Sequence, residues 1–149
     1  MLPERVSVPL FGGAEIPLGD LDDGWQVALS AFLGLPAEAG QTILPHLVGF
    51  NRDIAANYGF APLDRDAIWQ TVAAQEICVV ADDGRMVVAV YCDCDWLPER
   101  GLLLVWQDGV TLTRVSGIDG HLSNSYAYND PALADAVYVG IDRAFTTRR

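Results

Sequence analysis

Tyr91-Cys92-Asp93-Cys94-Asp95-Trp96-Leu97-Pro98-Glu99-Arg100-Gly101-Leu102 holds two cysteines, a tryptophan and four charged side chains in twelve residues. As chemistry, the stretch suggests a thiol or metal site. As structure, it is the end of one strand, a corner and the start of the next. Side chains alternate across a strand, so Cys92 and Cys94 leave by one face with Val90 and Trp96. Tyr91, Asp93 and Asp95 leave by the other. That spacing favours a core edge with a charged rim.

The strands on either side extend this reading. Upstream, Ile77-Cys78-Val79-Val80-Ala81, the turn Asp82-Asp83-Gly84-Arg85 and Met86 to Trp96 form a hairpin. Downstream, Gly101 to Trp106, the turn Gln107-Asp108-Gly109 and Val110 to Val115 form another. Val87-Val88-Ala89-Val90 and Leu102-Leu103-Leu104-Val105-Trp106 are apolar without alternation, as in strands buried on both faces, and belong at the centre of the sheet.

Toward the N-terminus, Arg5 to Leu10 and Glu15 to Leu18 read as a short hairpin turning at Phe11-Gly12-Gly13-Ala14, with Pro9 and Pro17 placing it at an edge. Asp20, Asp22 and Asp23 precede an apolar run in which Trp25, Leu29, Phe32 and Leu33 share a helical face, and they mark a helix N-terminus. A second helix spans about Leu44 to Tyr58, with Ile43, Leu47, Phe50, Ile54 and Tyr58 as its stripe. Pro45 sits in its first turn and Gly59 closes it. Asp64 to Gln70 reads as a short capped helix. Residues 117–130 read as a loop, Pro131 to Ala136 as a short helix, and Arg143, Arg148 and Arg149 as a loose basic tail.

The expected fold is α+β: an antiparallel meander of about four strands plus a short N-terminal hairpin, with two to three helices packed on one face. A single domain is expected over residues 1–149: hairpin and helices to 70, meander over 75–117, then loop, short helix and tail over 118–149.

Composition narrows the functions. Twenty acids against nine bases give a net charge of −11, and every base is arginine. Without lysine, a Schiff base, a phosphate-binding lysine and a lysine general base are excluded. The acidity disfavours nucleic acid and anionic membrane as partners and allows a basic protein partner or plain solubility. An apolar fraction of 51% suits a folded core. Met1-Leu2-Pro3-Glu4-Arg5 lacks the pattern of a signal peptide, and a cytoplasmic address is expected.

Three candidate sites follow. Cys78, Cys92 and Cys94, with a fourth ligand, could hold zinc. C-x-C within a strand is not the usual knuckle spacing, and packing as small hydrophobes is favoured, with no cofactor expected. Asp82, Asp83, Asp93, Asp95 and Glu99 form an acidic rim around Trp96, an exposed aromatic suited to anchoring a partner. The loop Asp119-Gly120-His121-Leu122-Ser123-Asn124-Ser125 gathers an acid, an imidazole and hydroxyls. It lacks a rigid nucleophile elbow, and satisfied loop residues are favoured over a hydrolase site. His46, at a helix start, reads as structural.

Cys94-Asp95-Trp96-Leu97-Pro98-Glu99-Arg100-Gly101-Leu102, with Leu104-Val105-Trp106, Asp108-Gly109 and Asp119-Gly120-His121-Leu122, resembles a family of uncharacterised bacterial domains. Its pattern is W-x-x-E-H-G-L, an apolar strand, a D-G or N-G turn and a closing G-x-x-D. The resemblance covers residues 76 to 122. Some of these domains are similar to immunity proteins, which block secreted toxins by direct binding. Arg100 stands at the family's histidine, so any metal or catalytic role of that histidine is lost here. The resemblance brings no established activity with it, and the reading is of a binding domain rather than an enzyme. It points to an acidic binding domain, an immunity protein against a basic toxin domain, with Asp82, Asp83, Asp93, Asp95, Trp96, Glu99, Arg100, Asp119 and His121 as contact residues.

Overall fold

A computed structural model describes residues 4–97 and 99–149. Met1-Leu2-Pro3 and Pro98, read above as part of the N-terminus and of the corner, lie outside the described residues. A six-stranded sheet in the order β1-β2-β3-β4-β5-β6 forms the frame. Its strands are β1 Arg5–Val8, β2 Ala14–Leu21, β3 Val72–Asp82, β4 Arg85–Cys94, β5 Leu102–Gln107 and β6 Thr111–Gly117. Strands β3 to β6 run antiparallel as expected. The N-terminal hairpin is no separate appendage: β2 pairs in parallel with β3, through Leu18 opposite Ile77 and Leu21 opposite Val79. The intervening helices supply the crossover that a parallel pairing needs. Only β1 is left at that edge, and the sheet has six strands, not four.

The helices are α1 Trp25–Leu33, α2 Leu44–Tyr58 and two single turns, α3 Arg65–Ile68 and α4 Asn124–Ala127. Leu29 and Phe32 of α1, and Leu47 and Phe50 of α2, pack onto Val88, Val90, Leu104 and Trp106 in one continuous core. Pro45 lies in the first turn of α2, and Gly59 ends it at φ +75°. The acids before α1 do not cap it. Its N-cap is Gly24, with no side-chain hydrogen bond, and Asp22 Oδ2 instead accepts from the amide of Ala81 on β3 at 2.8 Å.

The other face of the sheet carries a smaller cluster of Val87, Ala89, Leu103 and Val105, against which Ile118 and Leu122 pack. This explains why β4 and β5 do not alternate: helices cover one face and the 118–122 loop the other. The guanidinium of Arg114, fully buried on β6, holds that loop down. It donates to Asp119 Oδ1 and Oδ2 at 2.7 Å each, to the His121 carbonyl at 2.5 Å and to Asn124 Oδ1 at 2.8 Å.

Two expectations for the C-terminus are corrected. Pro131–Leu133 makes one 3-10 turn, and Ala136 opens β7 (Ala136–Tyr138) rather than ending a helix. The basic tail is not loose: β8, Thr147–Arg148, pairs antiparallel with β7, Arg148 bonds Asp135, and Arg149 donates to the Ala134 carbonyl. His46 Nδ1 lies 2.7 Å from Thr147 Oγ1, tying α2 to β8, and burial lowers its pKa.

Candidate functional site

At the corner, β4 delivers Cys94 into the core and releases Asp95 to solvent; the chain then passes Trp96 and returns into β5 at Leu102. Gly101 is required there. Its φ is +71°, and a Cβ would sit 2.9 Å from the Cys92 carbonyl oxygen. Cys92 and Cys94 are buried in the helix-side core, while Asp93 and Asp95 are exposed, as the alternation demands. Cys78 lies opposite Ala89, on the face away from them, so the three sulfurs do not converge. No cluster of metal-ligating side chains exists among the described residues. Burial pushes the Cys78 thiol up to about 11 and raises those of Cys92 and Cys94, which fits inert thiols in the core.

The acidic rim divides in two. Asp82 pairs with Arg85 at one end of the β3–β4 hairpin, while Asp93 pairs with Ala73 near the other. Eight residues of strand at about 3.3 Å each place them over 25 Å apart. Asp82 and Asp83 face a small polar groove of about 200 Å³ with Ser123, Ser125 and Tyr126. His121 is exposed on the loop and lines neither that groove nor the larger cleft. The hydrogen bonds of the loop are structural: Asp119 is bound by Arg114, Ser123 Oγ accepts from the Tyr126 amide, and Asn124 donates to the carbonyls of Ala136 and Val137. These groups brace the fold and do not form a nucleophile–base pair.

At the corner end lies a cleft of about 580 Å³, within the size range of pockets that take a small molecule or a side-chain cluster. Four residues singled out from sequence line it together: Trp96, Glu99, Arg100 and Asp119. Trp96 is half-buried rather than exposed. Its indole N–H donates to Thr71 Oγ1 at 3.0 Å, and its ring meets Phe50 edge-on at 5.1 Å between centroids. A pinned aromatic of this kind loses little entropy when a partner covers it.

The opposite wall was missed by sequence reasoning. Phe50, Ile54 and Tyr58 come from α2, Phe60 from the segment after it, and Tyr128, Tyr138, Val139 and Ile141 from the C-terminal segment. The α2 stripe held a signal, because it runs past the core: Tyr58 is 74% exposed. The C-terminal residues gave none, since their position depends on a buried hub. Asp53, at 0% exposure, accepts from the Tyr138 hydroxyl at 2.5 Å, the Ile141 amide at 2.6 Å, the Asp142 amide at 3.3 Å and Asn57 Nδ2 at 3.1 Å. Burial and the Asp53 carboxylate together raise the pKa of Tyr138 far above its ordinary value. Asn51 Oδ1 likewise accepts from the Leu63 amide at 2.8 Å, holding the segment that carries Phe60.

Fold and site together define an α+β domain with an open, aromatic-lined cleft at one end of its sheet. The chain belongs to the family described as Domain of unknown function (DUF6985), whose model matches residues 3–122. That span includes Phe60, Trp96, Glu99 and Arg100, and ends before Tyr128, Tyr138 and Ile141. No curated protein and no solved structure matches the chain. No single helix among the described residues is long and apolar enough to cross a membrane.

Proposed function

We propose that this domain is an acidic protein-binding module that docks a basic partner at the corner-end cleft, and that it serves as an immunity protein neutralising a toxin by direct binding. The observation that carries the docking face is the gathering of exposed aromatic and aliphatic side chains at one place. Tyr58, Phe60, Tyr128 and Ile141 are all solvent-exposed, and all line the cleft. A contiguous exposed apolar surface rimmed by charge is characteristic of an interaction site, whereas a single exposed apolar residue, such as Val27 on α1, means little.

The net charge of −11 supports a basic partner, because long-range attraction accelerates encounter with one. Asp93, Asp95 and Glu99 place part of that charge at the cleft end. Three free thiols suit a reducing compartment, so the cytoplasm is the proposed address. Co-expression with the product of a neighbouring toxin gene, followed by titration calorimetry of the purified pair, tests the reading. Rescue of growth and binding, both lost in Tyr58→Ser/Phe60→Ser, are the expected results. Absence of both rescue and binding with the unaltered domain would defeat it.

A further inference from the structure

We infer that the cleft receives a cationic side chain, a guanidinium or an ammonium, from a basic segment of the partner; this rests on the docking face proposed above. Three observations converge on a cation. The first is the aromatic lining. Phe50 and Tyr138 stack on each other behind the wall at 4.4 Å, whereas the rings of Tyr58, Phe60, Trp96 and Tyr128 line the cleft within reach of solvent. The quadrupole of an aromatic ring attracts a cation electrostatically as it does no neutral alkyl group. The second is internal to the molecule: the Arg143 guanidinium stands 5.4 Å from the centroid of the Tyr128 ring. A cation is therefore already held against one of the cleft's own rings.

The third is the charge behind the wall. Asp53 is fully buried, all four groups bonded to it are neutral donors, and no cation pairs with it among the described residues. Acceptance at both oxygens fits the ionised carboxylate. Tyr138 and Ile141 both bond Asp53 and line the cleft, and salt screens a buried charge less than an exposed one, so this charge acts on the cleft from directly behind its wall. The rim does not cancel it. By formal charge, Asp119 balances Arg114, Glu99 balances Arg100 and Asp142 balances its neighbour Arg143, and the Asp53 charge is left over.

The test uses the full chain, labelled with nitrogen-15, and three peptides at constant ionic strength: acetyl-Gly-Arg-Gly-amide and its counterparts with norleucine or glutamate in the centre. The arginine peptide is expected to move the indole N–H signal of Trp96 and the amide of Ile141 saturably. It should bind at least about fivefold more tightly than the norleucine peptide, with the glutamate peptide weakest. Tyr128→Leu, which keeps apolar bulk and removes a ring, should shrink the preference for arginine over norleucine while the folded spectrum persists. Equal or tighter binding of norleucine at the cleft would overturn the cation and leave the docking face standing. Absence of a saturable shift with the arginine peptide would likewise overturn the cation, and if the partner's contacts also map to another surface the docking face falls with it.

Discussion

The two ends of the β3–β4 hairpin are both acidic, yet they are acidic for different reasons. At the turn end, Asp83 and Gly84 occupy a two-residue loop with φ values of +51° and +77°. Tight hairpin turns need both central residues in that region, and aspartate followed by glycine supplies it at the lowest cost. The charge there is a by-product of turn chemistry. At the corner end, Asp93 and Asp95 alternate with buried thiols, and Glu99 stands beside a cleft walled by aromatics. Charge density alone does not mark a site; charge beside exposed, well-anchored apolar surface does.

The largest expected effect falls on the corner end alone. Asp53→Ala leaves the Tyr138 hydroxyl and the amides of Ile141 and Asp142 without their acceptor. Each buried donor left unpaired costs about 1 to 3 kcal/mol, so a loss of about 3 kcal/mol or more in urea unfolding is expected. The nuclear resonances of the turn end should be unmoved at denaturant concentrations where the variant is folded. An unfolding curve matching that of the unaltered chain would mean that the cleft wall does not depend on this hub.

Removing the exposed rings separates binding from stability. Tyr58→Ser and Phe60→Ser take away exposed or half-exposed apolar surface, and the midpoint of unfolding should shift by no more than about 0.5 kcal/mol each. Affinity for the partner should fall by about 2 kcal/mol, or some thirtyfold, as expected when an aromatic anchor is truncated. Unchanged calorimetric affinity in both variants would erase the distinction between the two ends.

Most of the scaffold was legible because it obeys local rules. Alternation over Cys92 to Asp95 sorted inward from outward side chains, α2 begins and ends at the residues its proline and glycine mark, and the turns at Gly84 and Gly109 lie where their sequences put them. The parallel pairing of β2 with β3 was not legible, because Leu18 and Ile77 are brought together by a crossover of more than 50 residues whose periodicity marks its helices and not the strands they join. Nor was the cleft. The part of its wall made by Tyr138 and Ile141 depends on one carboxylate, Asp53, which sits among polar neighbours on the face of α2 that reads as solvated. The bond from Asp53 to Tyr138 spans 85 residues. Arg114 hid for the same reason: a lone arginine on an edge strand reads as exposed, and only the folded-back loop buries it.

Neutralising the turn end should be nearly silent. Asp83→Asn keeps a side chain that tolerates positive φ, so stability should hold within about 0.5 kcal/mol. Binding should change only through long-range attraction: a decrease of about twofold in association rate at low salt, vanishing as salt rises, with no change in dissociation. Stopped-flow kinetics at two ionic strengths read both. A slower association that persists at high salt, or a faster dissociation, would make the turn end part of the contact.

The subtlest contrast lies in the response to acid, where Asp119 at the cleft and Asp82 at the turn end have opposite signs. Hydrogen bonds from Arg114, opposed in part by burial, hold the Asp119 carboxyl below its ordinary value of 3.8. The unfolded chain then takes up a proton more readily than the folded one. The stability that Asp119 contributes is therefore complete above about pH 4 and drains away as pH falls through its folded value. Burial, and secondarily the charge of Asp83, push the Asp82 carboxyl above 3.8. Here the folded chain binds the proton more tightly, so stability falls as pH rises from 3.8 through the folded value and is level beyond it. Urea midpoints between about pH 2 and pH 6 should consequently respond in opposite directions. Asp119→Asn flattens the loss on the acid side of 3.8, while Asp82→Asn removes the decline on the alkaline side. Because both side chains are partly solvated, each difference should be smaller than the effects above. If both variants alter the same limb of the profile, the environments of the two carboxylates are not the opposed ones described.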